Sequence, residues 1–599
     1  MWSTRGTVLL ISVAAALAGG PTAAAVADPP PVSVRTLHFD TVVGPAAGDT
    51  HCDIVGDLYT PATATAASPA PAILTTNGFG GSKDDQQAMA TAMAERGYVV
   101  LSYSGLGFGG SGCRIELDDP DWDGKAGSQL ISFLGGTKAA KDGTVLDDVR
   151  LDAPGDPRVG MIGGSYGGQI QYAVAGQDPR VDTIVPIITW NDLAYSLTPN
   201  NTDLSSGVTS TTPGVAKYQW ASLFTAVGIT DGISNIQSDP NRDVTTCPNF
   251  DARVCPAVVE AGITGAPSPT TLELLRHASV ASYVKDIKIP TLLLQGQADT
   301  LFNLNEVIAT YGALRAQGTP VKMVWQSWGH SRSAPAPGEL GDGPGGYAPV
   351  DAGGNPTAEG RVVEEWFDHY LNDATTAPAL DFTYFRDWVS YSGDATPAFG
   401  RADAYPAGTD QRMLLSGADA LVAGDATPAR GSAAFVTPAA GAPTSVTEIS
   451  ALSQDVPLFD APGTFAQYTS APLAQDTDVV GPPRVRLRLR VPAAVPSPVG
   501  GAVPAALPTL FLKVQDVAPD GTVTQPGRLV APIRPANPNR PVDVTLPAIV
   551  HRFAAGHRVR LVVAGSDAAY RGSPLPTAVT VTAGGNDPST LTLPVVAAG

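Results

Sequence analysis

A chain of 599 residues exceeds what one hydrophobic core serves, because domains usually run about 100 to 250 residues, so two or three are expected. Its 43% hydrophobic and 16% charged content is that of a soluble globular protein, and 64 glycines with 54 prolines signal many turns. With 37 basic against 56 acidic residues, net -19, a nucleic-acid partner is excluded, since phosphate would be repelled over most of the surface.

The first residues read as an export signal over 1–27: Arg5 is the positive n-region, Val8 to Leu17 the apolar core, and Ala25-Val26-Ala27 a cleavage site before Asp28. No later apolar run reaches the roughly 18 residues that a membrane helix needs, and no cysteine near the cleavage site offers a lipid attachment. A secreted protein without a membrane anchor is expected. Cys52, Cys113, Cys247 and Cys255 make an even count in an exported chain, which favours disulfides over metal ligation or a thiol nucleophile. Of the three possible pairings we favour Cys247 with Cys255, close in sequence, and Cys52 with Cys113.

From about Val34 onwards, "PAILTT", "YVVLSY", "RVGMI", "TIVPII", "TLLLQ" and "VKMVW" read as strands alternating with helical patterns. Such alternation predicts an α/β fold over 28–378, a mostly parallel sheet covered on both faces. "NLNEVIATYGALRAQG" is the clearest helix: Asn303 and Glu306 form a capping-box-like pair, Val307, Ile308, Tyr311 and Leu314 share a face, and Gly318 stops it. About a hundred residues separate "TIVPII" from "TLLLQ", too many for a plain crossover. They predict a cap over 190–287, lying on the carboxyl edge of the sheet. After "RVVEEWFDHYLND", alternating strands such as "RVRLRLRV", "TLFLKVQDV" and "HRVRLVVAG" predict an all-β sandwich or jelly roll over 379–599.

Within "RVGMIGGSYGGQIQYAV", Gly163, Ser165 and Gly167 match G-x-S-x-G, in which the serine occupies a strained strand-to-helix turn. Small neighbours are required there because the backbone is crowded, and the strain exposes Oγ to a histidine. The partners should follow in the order Ser, Asp, His, each on a loop after its own strand. Asp299 follows "TLLLQ" and His330 follows "VKMVW", so both fall where the fold requires them. Asp192, after the strand that precedes the cap, is the runner-up acid. The remaining histidines, His38, His51, His277, His369, His551 and His557, do not follow such strands.

The residues then have definite roles: Ser165 as nucleophile, His330 as base and Asp299 as the group that orients the imidazole. One oxyanion donor is the backbone N–H of Tyr166, and the other falls to the loop "NGFGG", where the Phe79 N–H is placed for it. No metal and no cofactor is called for. "GLGFGG" fits G-x-G-x-x-G after a strand, but no helix follows directly, so a dinucleotide is not expected. "DPDWDG" sets Asp119, Asp121 and Asp123 like the start of a calcium loop, yet its twelfth position is Leu130, and solvated turn and helix-capping carboxylates explain it better.

"GGSYGG", "DWDG", "LLLQGQAD" and "WGHS", followed by "YTSAPLAQDTDVVGP" and "LPAIVHRFAAGHRVRLVVAGSD", resemble the X-prolyl dipeptidyl-peptidase superfamily, which includes cocaine esterase and α-amino-acid ester hydrolases. The resemblance covers nearly all of the mature chain. It implies an α/β-hydrolase fold with a C-terminal jelly roll and a triad of Ser165, Asp299 and His330, with Tyr166 lining the oxyanion hole. Many members carry a tyrosine in the loop after the early strand; here "TTNGFGGSK" has Phe79 instead, so a backbone N–H must serve.

A serine hydrolase acting on a small-molecule ester or peptide is therefore expected. A dipeptidyl-peptidase would need cap carboxylates for the substrate ammonium, with Asp203, Asp231 and Glu260 as candidates that surface solvation explains equally well. An esterase would need only an apolar acyl pocket, with Trp190, Trp220 and Phe224 as possible walls, core packing being the other reading of the three. A non-catalytic glycan- or cell-surface-binding protein and an acyltransferase using the same triad are the alternatives. Sequence is silent on oligomeric state.

Overall fold

The expected β-branched runs become the strands of a single ten-stranded sheet. In chain order these are β1 (Val32–Val43), β2 (Thr50–Pro61), β3 (Ala72–Thr76), β4 (Val99–Tyr103), β5 (Val159–Gly164), β6 (Val181–Ile187), β7 (Thr291–Gly296), β8 (Val321–Gln326), β9 (Phe382–Phe385) and β10 (Phe399–Ala402). The computed structural model describes residues 29–45, 50–235, 246–332, 334–343, 346–348, 357–449, 455–492, 507–572 and 574–597. The expected export signal and its cleavage site lie outside them.

The strand order is β1-β2-β4-β3-β5-β6-β7-β8-β9-β10. β1, β2 and β10 pair antiparallel with their neighbours, and the strands from β4 across to β9 pair parallel. Parallel strands need crossovers that cover both faces, which is why β3, β4, β5, β7 and β8 are buried at every residue. Side chains alternate between the two cores: Ala72 and Leu74 of β3 join one, Ile73 the other. The sheet takes in β9 and β10, so it runs past residue 379, where the β domain was expected to begin. These two strands follow the helix at "RVVEEWFDHY" as its β partners in the same sheet, a link that local alternation does not reveal.

Helices α1 (Gln87–Glu95), α2 (Lys125–Leu134) and α3 (Tyr166–Ala175) follow β3, β4 and β5; α4 (Tyr218–Asn235), α5 (Val254–Thr264) and α6 (Pro269–His277) build the cap; α7 (Leu304–Ala316) and α8 (Ala358–Tyr370) follow β7 and β8. Asn303 caps α7 as expected, its side chain accepting from Asn305 N–H. Glu306 does not complete a capping box: its carboxylate takes the N–H groups of Asn191 and Asp192 and the hydroxyl of Ser196, fastening the loop after β6.

The C-terminal part is a β-rich domain with its own apolar core, built from a large antiparallel-rich sheet and a three-stranded one, Gly431–Val436, Ala578–Ala583 and Leu489–Arg490. Its loops clasp the cap. Arg534, fully buried, donates to the carbonyls of Gly214 and Gly265 at 2.6 and 3.0 Å, and Arg571 donates to Gly262 at 2.9 Å. Buried arginine persists only when its fork finds acceptors, so these contacts tie cap and β domain together. The disulfides pair Cys52 with Cys113 and Cys247 with Cys255, as favoured from sequence. No described helix is long and apolar enough to cross a membrane.

Candidate active site

β5 ends at Gly164 and α3 begins at Tyr166, leaving Ser165 on the turn between them with φ 56° and ψ -120°. A left-handed φ on a serine costs about 1–3 kcal/mol and persists only when its surroundings impose it. They do so here: Ser165 N–H donates to Ile187 O at 2.8 Å, while its carbonyl accepts from Gly168 and Gln169 at 2.9 and 3.0 Å. The flanking glycines are sterically required. A Cβ on Gly167 would lie 2.3 Å from the Thr76 carbonyl oxygen, and one on Gly163 would lie 2.7 Å from that of Gly167.

His330, after β8, sets its Nε2 2.8 Å from Ser165 Oγ and its Nδ1 2.7 Å from Asp299 Oδ2. Asp299 is fully buried, and its other oxygen accepts the N–H groups of Leu301 and Phe302 at 3.0 and 2.7 Å. The two partner loops are stitched to each other, because Thr300 N–H donates to Ser331 Oγ at 3.0 Å. Aromatic edges enclose the imidazole: the Phe302 ring centroid is 5.0 Å away and that of Trp220 is 6.3 Å away. Asp192, the runner-up acid, is occupied elsewhere; it caps the short helix Leu193–Leu197 and accepts from Thr209 Oγ1 at 2.6 Å.

Tyr166 opens α3, so its N–H stands at the positive end of that helix dipole. The loop after β3 passes beside the elbow, where a Cβ on Gly78 would lie 3.9 Å from that of Ser165. Phe79, the next residue, packs its ring against Tyr166, Phe108 and Phe224.

From Ser165 an apolar cleft runs under the cap, enclosing about 970 Å³ counted to its mouth. Phe79, Trp190, Phe224, Phe250 and Phe302 line it, and no charged side chain does so among the described residues. Of the three expected walls, Trp190 and Phe224 line it directly, whereas Trp220 backs Phe224 at 5.5 Å between ring centroids. Asp203, Asp231 and Glu260 are not among its lining residues. Asp203 instead accepts from Thr212 Oγ1 and Ala536 N–H, both at 3.0 Å.

The segment "ELDDPDWDG" departs from expectation. Asp119 does cap, accepting from Asp121 N–H at 2.7 Å, and His277 pairs with Asp119 and Asp121 at 3.3 and 3.5 Å. Asp118 and Asp123 are not solvated, being 0% and 3% exposed, because α2, α3 and the tyrosines around them close over the turn. Both Asp118 oxygens and Asp123 Oδ2 lack a hydrogen-bond partner among the described residues. Burial pushes the Asp118 and Asp123 carboxyls well above the usual range, and pushes Glu116 up to about 7 despite Arg114. The Asp118 backbone N–H donates to Tyr166 Oη at 3.0 Å, joining this group to the elbow. In "GLGFGG" the glycines serve packing: Gly107 has φ +80°, and a Cβ there would lie 2.5 Å from Ile115 N.

Sequence reasoning missed Lys217, which is buried with Nζ 2.7 and 2.9 Å from the carbonyl oxygens of Thr300 and Leu301. A lone lysine inside the apolar run "VAKYQWASLF" was the available signal, since a buried charge needs assigned partners.

The family model of the X-Pro dipeptidyl-peptidase (S15 family) matches residues 49–332, and that of the X-Pro dipeptidyl-peptidase C-terminal non-catalytic domain matches 397–592. No curated protein matches the sequence. Among solved structures, the fold is similar to an aminopeptidase from a marine sediment Thaumarchaeota archaeon (TM-score 0.64, 13% identity, covering 94% of this chain and 96% of that one). It is also similar to an α-amino acid ester hydrolase (TM-score 0.60, 17% identity, 96% and 98%). A CocE/NonD family hydrolase from Staphylococcus aureus aligns with TM-score 0.58 at 12% identity, over 94% and 97%.

Proposed function

Because the chain belongs to the X-Pro dipeptidyl-peptidase (S15) superfamily of serine hydrolases, we propose that it is a secreted enzyme cleaving esters of uncharged, apolar acyl groups through an acyl-enzyme on Ser165. The observation that carries the choice of substrate is the cleft next to Ser165, lined mostly by aromatic and aliphatic side chains and, among the described residues, by no charged one. A dipeptide with a free α-ammonium would lose its hydration there without gaining a carboxylate, at a cost of several kcal/mol. An apolar acyl group gains instead about 0.8 kcal/mol per buried methylene. The two disulfides suit an oxidising compartment and support secretion.

The hydrogen-bond chain supports the following mechanism. Ser165 Oγ attacks the acyl carbon while His330 Nε2, 2.8 Å away, takes its proton. Asp299 holds the imidazole by Nδ1–H and stabilises the cation that forms. The carbonyl oxygen, turned anionic, meets the N–H groups of Tyr166 and Phe79, with the α3 dipole behind the first. His330 returns the proton to the leaving alkoxide, the alcohol departs, and a water activated by the same imidazole releases the acid and frees Ser165.

The test is acyl-enzyme formation with a fluorophosphonate, followed by turnover of p-nitrophenyl esters and an Ala-Pro anilide. Labelling is expected in the wild type and absent in Ser165→Ala, whose turnover should fall by about 10⁵-fold or more. Ester turnover should exceed that of the anilide; the reverse order would overturn the substrate class, and an unlabelled folded protein the nucleophile.

A further inference from the structure

Lys217 lies where the cap enters α4, its backbone N–H donating to Leu197 O at 2.8 Å. Its ammonium reaches the carbonyl oxygens of Thr300 and Leu301 at 2.7 and 2.9 Å. Those carbonyls belong to two particular peptide groups. The Thr300 carbonyl shares its peptide with the Leu301 N–H, and the Leu301 carbonyl shares its peptide with the Phe302 N–H. These are the two N–H groups that hold Asp299 Oδ1, at 3.0 and 2.7 Å. A single ammonium thus pulls on the oxygen ends of both peptides whose hydrogen ends grip the triad carboxylate.

We infer that Lys217 is a positioning residue for catalysis, polarising these two peptide groups so that the cap sets the orientation and charge balance of Asp299 and, through it, of His330. The inference rests on the triad reading above. Hydrogen bonds in series strengthen one another in a buried site, so the lysine tightens the grip on Asp299 beyond what two neutral peptides supply. Desolvation lowers the Lys217 pKa to about 8, while Glu448 from the β domain, Glu306 from α7 and Asp299 itself act to raise it. At neutral pH the site therefore carries a cation close to the triad.

A buried cation disfavours a second positive charge close by, so its removal should shift the pH profile in a definite direction. Replacing Lys217 by Met removes both donors and the charge, and Lys217→Gln keeps a donor without the charge. Both variants should move the acidic limb of the kcat/KM profile up by about 0.5 pH unit. For Lys217→Met, kcat should fall about 10-fold at about pH 7, where the wild-type ammonium is charged, with KM within about 2-fold, and Lys217→Gln should recover part of it.

If Lys217 merely satisfied buried carbonyls, stability would fall and the limb would stay in place. Simple loosening of Asp299 would withdraw the anion from His330 and move the limb down. Either result overturns the proposal. Should Lys217→Met not fold, the limb of Lys217→Gln decides alone. A wild type with no Ser165-dependent turnover would sink the triad reading itself, whereas an active wild type with unshifted variants would sink only the role of Lys217.

Discussion

Two fully buried aspartates flank the strand-to-helix turn at Ser165, and the fold treats them in opposite ways. Asp299 has every oxygen engaged: two backbone N–H groups on Oδ1 and the imidazole on Oδ2, with Lys217 behind the peptides that supply the N–H groups. Asp118 is just as buried, yet neither carboxyl oxygen has a partner among the described residues, and Asp123 beside it adds like charge. A buried carboxylate can be kept as an anion only by such engagement; otherwise it takes up a proton. The first arrangement is suited to catalysis, and the second makes the fold sensitive to pH.

The same substitution should have opposite consequences at the two sites. Asp299→Asn leaves shape intact but disfavours the imidazole tautomer that Ser165 needs, so kcat for ester turnover should fall about 10⁴-fold. Asp118→Asn should leave kcat within about 3-fold, because nothing in the hydrogen-bond chain from Asp299 to Ser165 passes through it. A loss of more than about 100-fold at Asp118 would mean that the unpartnered carboxyl takes part in catalysis, and the contrast would fail.

Stability against pH supplies the next test. For an acid whose folded pKa is raised, stability is complete below its unfolded value and is lost as pH rises through the folded one. Glu116 places that window between its ordinary 4.5 and about 7, and Asp118 and Asp123 act in the same direction. His277, raised by its hydrogen bond to Asp119, likewise contributes stability that fades as pH rises. The melting temperature should therefore fall steadily from about pH 5 to about pH 7, each buried carboxyl contributing up to about 1.4 kcal/mol per pH unit and the half-exposed His277 much less. Asp118→Asn should stabilise at pH 8, change little at pH 5 and flatten the slope. An unchanged slope in calorimetry would show that the cluster is not protonated on folding.

The same contrast marks what could be read from the sequence. Ser165, Asp299 and His330 were legible because each sits on a short local pattern, a strand followed by a loop, and because their chain order is a topological constraint. Gly163 and Gly167 were legible for a related reason: crowding at the elbow is local. The state of Asp118 and Asp123 was not, since "DDPDWD" looks like a solvated turn until α3 and its tyrosines close over it. Lys217 was hidden likewise, its partners lying 83 and 84 positions away in the chain. Trp220, which the sequence left open as a cleft wall or a core residue, backs Phe224 and stands beside His330, because an aromatic in a helical run does not say which layer it joins. Whether the sheet stops before or after β9 and β10 depends on pairing between distant segments, which alternation alone does not encode.

The smallest expected effect tests the link between the two aspartates, which is the hydroxyl of Tyr166. It accepts from the Asp118 backbone N–H at 3.0 Å, and burial keeps its pKa well above the ordinary 10. Tyr166→Phe removes that acceptor and leaves the Asp118 N–H unsatisfied in a site closed to water, which should cost about 1–2 kcal/mol of stability. Catalysis should change by no more than about 3-fold, because the oxyanion donor proposed at this residue is its backbone N–H. That group is fixed by α3 and by the Ser165 bond to Ile187, and neither involves the ring. A lower melting temperature with near-normal kcat for p-nitrophenyl esters would place the phenol on the structural side of the elbow. Turnover reduced about 100-fold with unchanged stability would instead mean that the hydroxyl reaches the reacting atoms, and that the two carboxylate sites are joined through chemistry rather than packing.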